Sequence, residues 1–401
     1  MARFPDHPCD WTELMAIPIT YNLRNLRLRL GATVMTALGI ALTVAVAVFI
    51  MALLSGLNRA FKISGDPLNV LIIRKGSQTE LQSGVDRQSY QTIKFLPGIA
   101  KSKSGEPLAD GESVVVIVLP RKDGTGETNV TVRGMSAVGF EMRPAVHLVE
   151  GRWFNPGQRE IAVSKSIRDR FNSASIGDEI FFGKGKWRVV GVFDAGNTAF
   201  GSEIWSDVNQ MSADFDRSAA FSSVLVHATD PVAAQALKNR AADDQRLELD
   251  AFAEPDYFAE QTKSGTPIQL VGTIVAIVMA IGSCFAAMNT MYAAVAYRSR
   301  EIATLRILGF SRPSIITSFV LESVLLALLG AAVGLVLMLP LNGMTTGTAN
   351  ALTFSETVFS IRITLAVVIT AIIFAVSMGL MGGIAPAWHA SRREILAALR
   401  D

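Results

Sequence analysis

Residues 31–57 read GATVMTALGIALTVAVAVFIMALLSGL, 27 residues without one charged side chain. Crossing the hydrocarbon core of a bilayer takes about 20 consecutive, mostly apolar residues, because a helix advances only about 1.5 Å per residue. The run is roughly twice the apolar stretch of a secretory signal, so it reads as an uncleaved anchor. Three further runs meet the same length. Residues 267–292 and 363–388 carry no charge, and 315–340 carry one, Glu322. The pattern predicts an integral membrane α-helical protein with four transmembrane helices and a large segment, 58–266, inserted between the first and second.

The charges give this arrangement a direction. Half of the residues are hydrophobic and the net charge is only +2, which offers no basic surface for nucleic acid. Lys and Arg in short flanks are retained on the inner side of the membrane. Arg24, Arg27 and Arg29 precede the first span, within an inner segment 1–30. Arg298, Arg300, Arg306 and Arg312 lie between the second and third, in an inner loop 293–314. Arg392, Arg393 and Arg400 follow the fourth, in a tail 389–401. The short loop 341–362 carries only Glu356 and Arg362. Both termini are therefore expected inside and the insert outside. Ile17 to Leu30 sets Leu23, Leu26 and Leu30 on one helical face beside Arg24 and Arg27, an amphipathic helix suited to membrane lipid on the inner leaflet.

The insert reads as an α+β domain. It holds 25 Lys or Arg and 27 Asp or Glu on 209 residues, ample for one or two cores. NVLIIR (69–74), SVVVIVLP (113–120), NVTVRG (129–134), KWRVVGVF (186–193) and SSVLVHA (222–228) have strand character. Arg87 to Leu96, Ser164 to Phe171 and Pro231 to Asp243 have helical character, with Asp230 placed to cap the last and Pro231 suited to its first turn. A boundary between two lobes is expected near 134–153.

No catalytic constellation emerges. Ser164 and Ser202 lack a nucleophile elbow, and Gly183-Lys-Gly-Lys186 is a hairpin turn rather than a phosphate-binding loop. Asn129-Val-Thr reads as plain strand. Glu106, Asp110 and Glu112 read as a solvated loop rather than a cation site. His7, His147, His227 and His389 lack ligand spacing, so no metal is expected, and Cys9 and Cys284 fall in different compartments of this topology and cannot pair.

Residues 297–313, YRSREIATLRILGFSRP, hold the most specific signal. Ile302, Leu305 and Leu308 recur at helical spacing, Arg298, Arg300, Glu301 and Arg306 decorate the other sides, Gly309 suits a C-terminal stop, and Ser311 suits the next helix start. The run R-x-R-E-I-A-x-L-R-x-L-G from Arg298 to Gly309 resembles the signature of the FtsX/MacB-type (type VII) ABC transporter permeases, in their four-span form without a fused ATPase. Met35-Thr-Ala-Leu-Gly-Ile40 is similar to that family's first span. Ile384-Ala-Pro-Ala-Trp388, Ala390-Ser-Arg-Arg393 and Ala397-Ala-Leu-Arg400 are similar to its close. Val132-Arg-Gly134, Gly151-Arg-Trp-Phe154 and Val189-Val-Gly-Val192 resemble its MacB-like periplasmic domain.

The resemblance implies a permease of the bacterial inner membrane with a periplasmic insert. It implies a separate cytoplasmic ABC ATPase dimer, which holds the ATP and Mg, so that the chain binds no cofactor directly and is not itself an enzyme. It also implies a second permease chain paired through the first two spans, and an adaptor with an outer-membrane channel is compatible with it. Arg298 to Gly309 would be the coupling helix, with Arg298, Arg300 and Arg306 meeting acidic grooves and Ile302, Leu305 and Leu308 filling an apolar pocket. Movement would pass to the insert and drive export or extraction of substrate from the periplasmic side, as in tripartite efflux or lipid and lipoprotein trafficking. The alternative is a regulator that activates a periplasmic enzyme such as a cell-wall hydrolase. An ionisable group at membrane depth costs about 2.5–3.5 kcal/mol on insertion scales, so Glu322 is expected to hydrogen-bond a neighbouring helix rather than carry protons. Gly330 with Gly334 and Gly379 with Gly383 are expected to pack the third and fourth spans together.

Overall fold

The computed structural model describes residues 30–392 apart from 245, 262–265 and 351. The amphipathic helix expected from Ile17, with Arg24, Arg27 and Arg29, lies outside the described residues, as do Arg393 and Arg400. The chain forms two compact units. One, the helical unit, takes the chain through Leu53, then Ile268–Asn342 and from Arg362 onward; the other, the inserted domain, takes Leu54–Pro267 and Gly343–Ile361.

Helix α1, Leu30–Lys62, is the first span and runs beyond the predicted end at Leu57. The inserted domain then alternates short strands and helices: β1 Asn69–Arg74, β2 Val85–Asp86, α2 Arg87–Lys94, β3 Ala109–Pro120, β4 Glu127–Met135, α3 Ala137–Glu141, β5 His147–Gly151, β6 Glu160–Ser164, α4 Lys165–Arg170, β7 Glu179–Phe182 and β8 Gly185–Asp194. It continues with β9 Glu203–Asp207, α5 Val208–Asp214, β10 Ala220–Phe221, β11 Ser223–His227, α6 Pro231–Asp243, β12 Leu249–Ala253 and α7 Glu254–Gln261. The helical starts follow local chemistry: Asp86, Ser164, Asp207 and Asp230 each accept a backbone N–H of the first turn they precede. Phe182 pairs with Gly185, so Gly183 and Lys184 are the tight turn that the sequence predicts.

Ten strands form one sheet in the order β12-β1-β11-β3-β4-β9-β6-β8-β5, with β7 beside β8. The β4–β9 and β6–β8 pairs are parallel; the others are antiparallel. Two apolar cores lie against it. Val70 and Ile72 of β1, Val224 and Val226 of β11 and Ala234, Leu237 and Ala241 of α6 form the first, through the period of two in strands and of 3.6 in the helix. Val115, Ile117 and Leu119 of β3, Val132, Ile161, Val163, Ile204 and Trp187 form the second. The two lobes do not divide at 134–153. Ala109 of β3 belongs to the first core and Val115 to the second, so the chain changes lobe inside one twelve-residue strand. It returns at Ser223, paired with Glu112 of the same strand.

At that crossing sits Arg133 on β4, fully buried. Its Nη1 donates to Glu80 (2.8 Å) and Glu112 (2.6 Å), its Nη2 to Glu80 (3.0 Å) and Glu203 (2.9 Å), and its Nε to Glu203 (2.9 Å). Arg143 adds two donors to Glu112, at 2.5 and 3.0 Å. Burial alone would push the pKa of Arg133 down, but Glu203, Glu80 and Glu112 outweigh it and hold the value well above the ordinary one.

The helical unit continues with α8 Thr266–Tyr297, α9 Ser299–Ile307 and α10 Arg312–Met338. The segment between the third and fourth spans is not an irregular loop: β13 Thr345–Ala349 and β14 Glu356–Ser360 pair as a hairpin that belongs to the inserted domain. The fourth span is α11 Leu365–Arg392. Among the described residues, four helices are long and apolar enough to cross a membrane. Small residues let them approach closely, but not all in the expected pairing. A Cβ on Gly330 would meet the Ala37 carbonyl at 2.9 Å, and one on Gly334 the Ala41 carbonyl at 2.6 Å. This glycine row of α10 therefore packs on α1 rather than on α11. Gly379 and Gly383 do face α10, at Ala327 and Ser323. The reason is that α10 presents two small-residue rows, and the row opposite α11 is Ser323 and Ala327, where Ser323 Oγ also donates to the Gly379 carbonyl at 2.7 Å. Thr43 with Ser283 (2.5 Å) and Thr36 with Thr290 (2.9 Å) join α1 to α8 by hydroxyl bonds.

Removing Arg133 leaves three buried carboxylates without their common partner. Arg133→Met is expected to cost about 3–5 kcal/mol, read as an earlier urea transition in the fluorescence of Trp153, Trp187 and Trp205 in the full chain; an unchanged midpoint contradicts the central role of the pair network.

Candidate functional site

Helix α9 is defined at both ends by the sequence. Arg298, with φ −100° and ψ 19°, interrupts the helical run after Tyr297, and α9 starts at Ser299. At the other end Gly309 takes φ +94°, a left-handed conformation open to glycine at little cost. Its N–H donates to the Arg306 carbonyl at 3.2 Å, and Phe310 N–H reaches the Leu305 carbonyl at 3.1 Å. These two bonds are the Schellman stop. Ser311 then caps α10 through Ser314 N–H at 3.4 Å.

The helix has two faces, and the division corrects the sequence reading. Ile302 is buried with Met291, Val295, Ile315, Phe319, Ala387 and Ala390, inside its own unit. It does not face outward to fill a partner's pocket. Arg298 is buried as well. Its Nη1 donates to Glu322 Oε2 at 3.1 Å and its Nη2 to Oε1 at 3.4 Å, with about 7% of the arginine side chain and 6% of the glutamate side chain exposed. Arg298 is therefore not a surface charge for an acidic groove but the ion partner of Glu322 on α10. Two charges buried in this way persist because their mutual attraction and hydrogen bonds offset the cost of desolvating each.

What remains outside is one stripe at helical spacing: Arg300, Glu301, Thr304, Ile307, Leu308 and Gly309 are exposed, and Tyr297 precedes them. Ile307 and Leu308 are 60% and 65% exposed, two aliphatic side chains on the same outer face as Arg300. Leu305 and Arg306 lie half-buried at its edge. Ile302, Leu305 and Leu308 fan across about a third of a turn, so they straddle the buried and exposed faces instead of sharing one.

The acidic triplet also moves. Only Glu106 is in an exposed loop. Asp110 and Glu112 are on β3 and fully buried, because the strand starts four residues before its apolar run. Arg143 and Arg133 draw Glu112 below the usual carboxylate range against its burial. Asp110 accepts from Ser136 N–H, at 3.1 and 3.3 Å; burial, then the charge of Glu112, outweighs Ser136 and the more weakly felt Arg143 and pushes its pKa up to about 7. Ser164 caps α4 and donates to the Gly201 carbonyl, and Ser202 Oγ accepts from Val358 N–H, so both act structurally.

With four apolar helices, an α+β domain between the first two, and a short two-faced helix between the second and third, the architecture is that of a permease. Residues 33–243 match the MacB-like periplasmic core domain and residues 273–395 the FtsX-like permease C-terminal domain. The macrolide export ATP-binding/permease protein MacB of Rhodopseudomonas palustris (strain HaA2) is 25% identical over 393 residues, covering 91% of this chain and 57% of that protein. The chain thus spans a little over half the length of the MacB relatives it matches. The ABC transporter permease YknZ of Bacillus subtilis (strain 168) is 27% identical over 412 residues, covering 94% of this chain and 99% of that protein. Among solved structures, the periplasmic region of MacB from Actinobacillus actinomycetemcomitans is 14% identical over 47% of this chain and 90% of that one, at a TM-score of 0.36. The chain belongs to the MacB/FtsX-type ABC transporter permeases, and it is a multi-pass membrane protein.

Asp110 gives the periplasmic domain a testable pH dependence. Its folded pKa lies above the unfolded value of 3.8, so the folded state holds the extra proton and this stabilisation is lost as pH rises from about 4 to about 7. Asp110→Asn keeps an acceptor for Ser136 and cannot ionise. Its stability relative to the parent is expected to rise across that window and level off above it, measured as urea midpoints at fixed pH; a difference that is flat with pH contradicts the assignment.

Proposed function

We propose that this permease couples an ABC ATPase on the cytoplasmic side to movement of its periplasmic domain, and that the movement drives export or extraction of substrate from the outer face of the bacterial inner membrane. The observation that carries this reading is the exposed stripe of α9. A short helix that leaves Arg300, Ile307 and Leu308 uncovered while its other face is packed into the bundle has the form of a helix-in-groove ligand. Arg306 at the edge and Glu301 on the stripe set its charge pattern.

The partner's coupling groove would therefore meet Arg300, Arg306, Ile307 and Leu308. Arg298 and Glu322 act behind them, holding the start of α9 to α10 so that a push on the stripe is passed to a membrane-spanning helix. The YknZ relative, matched over nearly its whole length and named a permease alone, supports an ATPase on a separate chain. The MacB relatives are named for macrolide export and ATP binding together, which supports an efflux role with ATP and Mg held by the ATPase dimer. A second permease chain completes the assembly, with a periplasmic adaptor and an outer-membrane channel in the efflux form.

The orientation rests on the arginines of the short flanks, Arg298 to Arg312 above all. Protease added to spheroplasts is expected to cut within 58–266 and to spare 298–312; the opposite pattern inverts the topology. For the docking face, Arg300→Glu, Arg306→Glu and Leu308→Asp combined are expected to reduce co-purification of the ATPase at least tenfold while membrane insertion is retained. Undiminished co-purification from an inserted variant removes α9 as the docking element.

A further inference from the structure

A cavity of about 160 Å³ lies in the inserted domain where four segments meet: the turn after α1, the turn between α3 and β5, the approach to β9, and the first residue of α7. Gly65 permits the closest of these contacts. It takes φ +90°, and a Cβ there would meet Glu254 Cγ at 2.7 Å, so the turn after α1 closes on Glu254 only with glycine in this place. Met142, Val146 and Phe200 give the cavity apolar walls, and Ile63, Pro67 and Ala145, all exposed, complete the lining. The volume is close to the roughly 150 Å³ that holds a benzene ring in a protein interior.

The charged groups around this space do not balance. Arg143 lines the cavity, but its terminal nitrogens donate to Glu112, at 2.5 and 3.0 Å, and its guanidinium lies over the Phe200 ring, 4.9 Å from the centroid. Glu254, 1% exposed, accepts from Asp66 N–H at 3.0 Å and Asn69 Nδ2 at 2.7 Å, both through Oε2. Its Oε1 has no hydrogen-bond donor among the described residues, and Arg143 Nη2 stands 3.8 Å away. Asp66 also lines the cavity. Its Oδ1 accepts from Leu68 N–H at 2.8 Å, and its Oδ2 has no donor among the described residues. Two carboxylates therefore border an apolar space while the arginine beside them is committed to Glu112. Burial outweighs Arg143 and raises the pKa of Glu254, as expected of a carboxylate short of counter-charge.

We propose that this cavity is a binding site for a small lipophilic amine, whose hydrocarbon ring packs against Met142, Val146 and Phe200 and whose ammonium donates to Glu254 Oε1 and to Asp66. An ammonium carries donors enough for both acceptors and supplies the charge that Glu254 lacks. A carboxylate ligand of the same size would meet two like charges. An alcohol would fill the space and leave the charge unanswered. No three His, Cys, Asp or Glu side chains are grouped for a metal ion among the described residues, and apolar walls suit an organic cation better. The site stands apart from α9 and does not depend on the coupling function.

Binding is read by fluorine NMR relaxation of para-fluorobenzylamine, with the full chain in phosphatidylcholine nanodiscs. Para-fluorobenzyl alcohol and para-fluorobenzoate are the probes of matched size. Ala145→Trp, which places an indole at the cavity, gives the background of partitioning into lipid. The amine is expected to bind at least tenfold tighter than the alcohol, and the acid to stay at background. Glu254→Gln keeps an oxygen for Asp66 N–H and Asn69, and it is expected to weaken the amine at least tenfold with the alcohol unchanged. Equal binding of amine and alcohol, undiminished amine binding in Glu254→Gln, or a signal that Ala145→Trp leaves in place overturns the site. The urea midpoint of each variant, read by tryptophan fluorescence, reports whether it is folded. Should Glu254→Gln not fold, Asp66→Asn decides, since its side-chain oxygen still accepts from Leu68. Weaker amine binding with the alcohol unchanged supports the site, and equal amine binding overturns it.

Discussion

A guanidinium buried among carboxylates is stable only while all of its donors are used. In the periplasmic domain Arg133 meets that condition with five bonds to three glutamates from three segments: the turn at Glu80, strand β3 at Glu112 and strand β9 at Glu203. Its position matters more than its net energy, since a buried pair of good geometry can be close to neutral against an apolar replacement. Satisfied in one arrangement only, it sets how two separate apolar cores share one sheet. The same guanidinium and two of its carboxylates border a cavity under the β13–β14 hairpin, so the network that joins the lobes also shapes the surface on which the hairpin rests.

The helical unit depends on a related constraint met by different means. Hydrocarbon offers no partner to a polar group, so the spans satisfy their backbones internally and pack through small residues and hydroxyls. Gly330 and Gly334 bring α10 onto α1, while Ser323 and Ala327 of α10 receive Gly379 and Gly383 of α11. The ion pair of Arg298 with Glu322 ties the short helix α9 to α10. It makes the exposed stripe of α9 one face of a packed element rather than a free loop.

Much of this was legible residue by residue. Asn69–Arg74 is a short apolar run bounded by Pro67 and Gly76, and it is β1; Asp230 before Pro231 carries a complete start signal, and α6 begins there. The misread segments share a cause, which is that their burial comes from partners distant in the chain. Asp110-Gly-Glu112 has loop composition, yet β11 pairs along it while Ser136 and Arg143 donate to its carboxylates, so it is buried strand. TTGTA and ETVFS, 345–349 and 356–360, are too short and polar to announce a hairpin, and the arginines at 121 and 170 that meet the buried Glu356 carboxylate lie far away in the chain. Arg298 looked like one more basic flank because Glu322 stands 24 residues away.

The sequence by itself determined the spans, their order, the place of the inserted domain and the ends of α9, since apolar run length, charge bias, caps and glycine stops act over a few residues. Only the tertiary structure decided which face of α9 is free, which helix each glycine row meets, which acids are buried, and that the segment between the third and fourth spans folds with the periplasmic domain. Those outcomes depend on the partner a side chain finds across the fold, where desolvation and pairing are balanced between residues far apart in the chain.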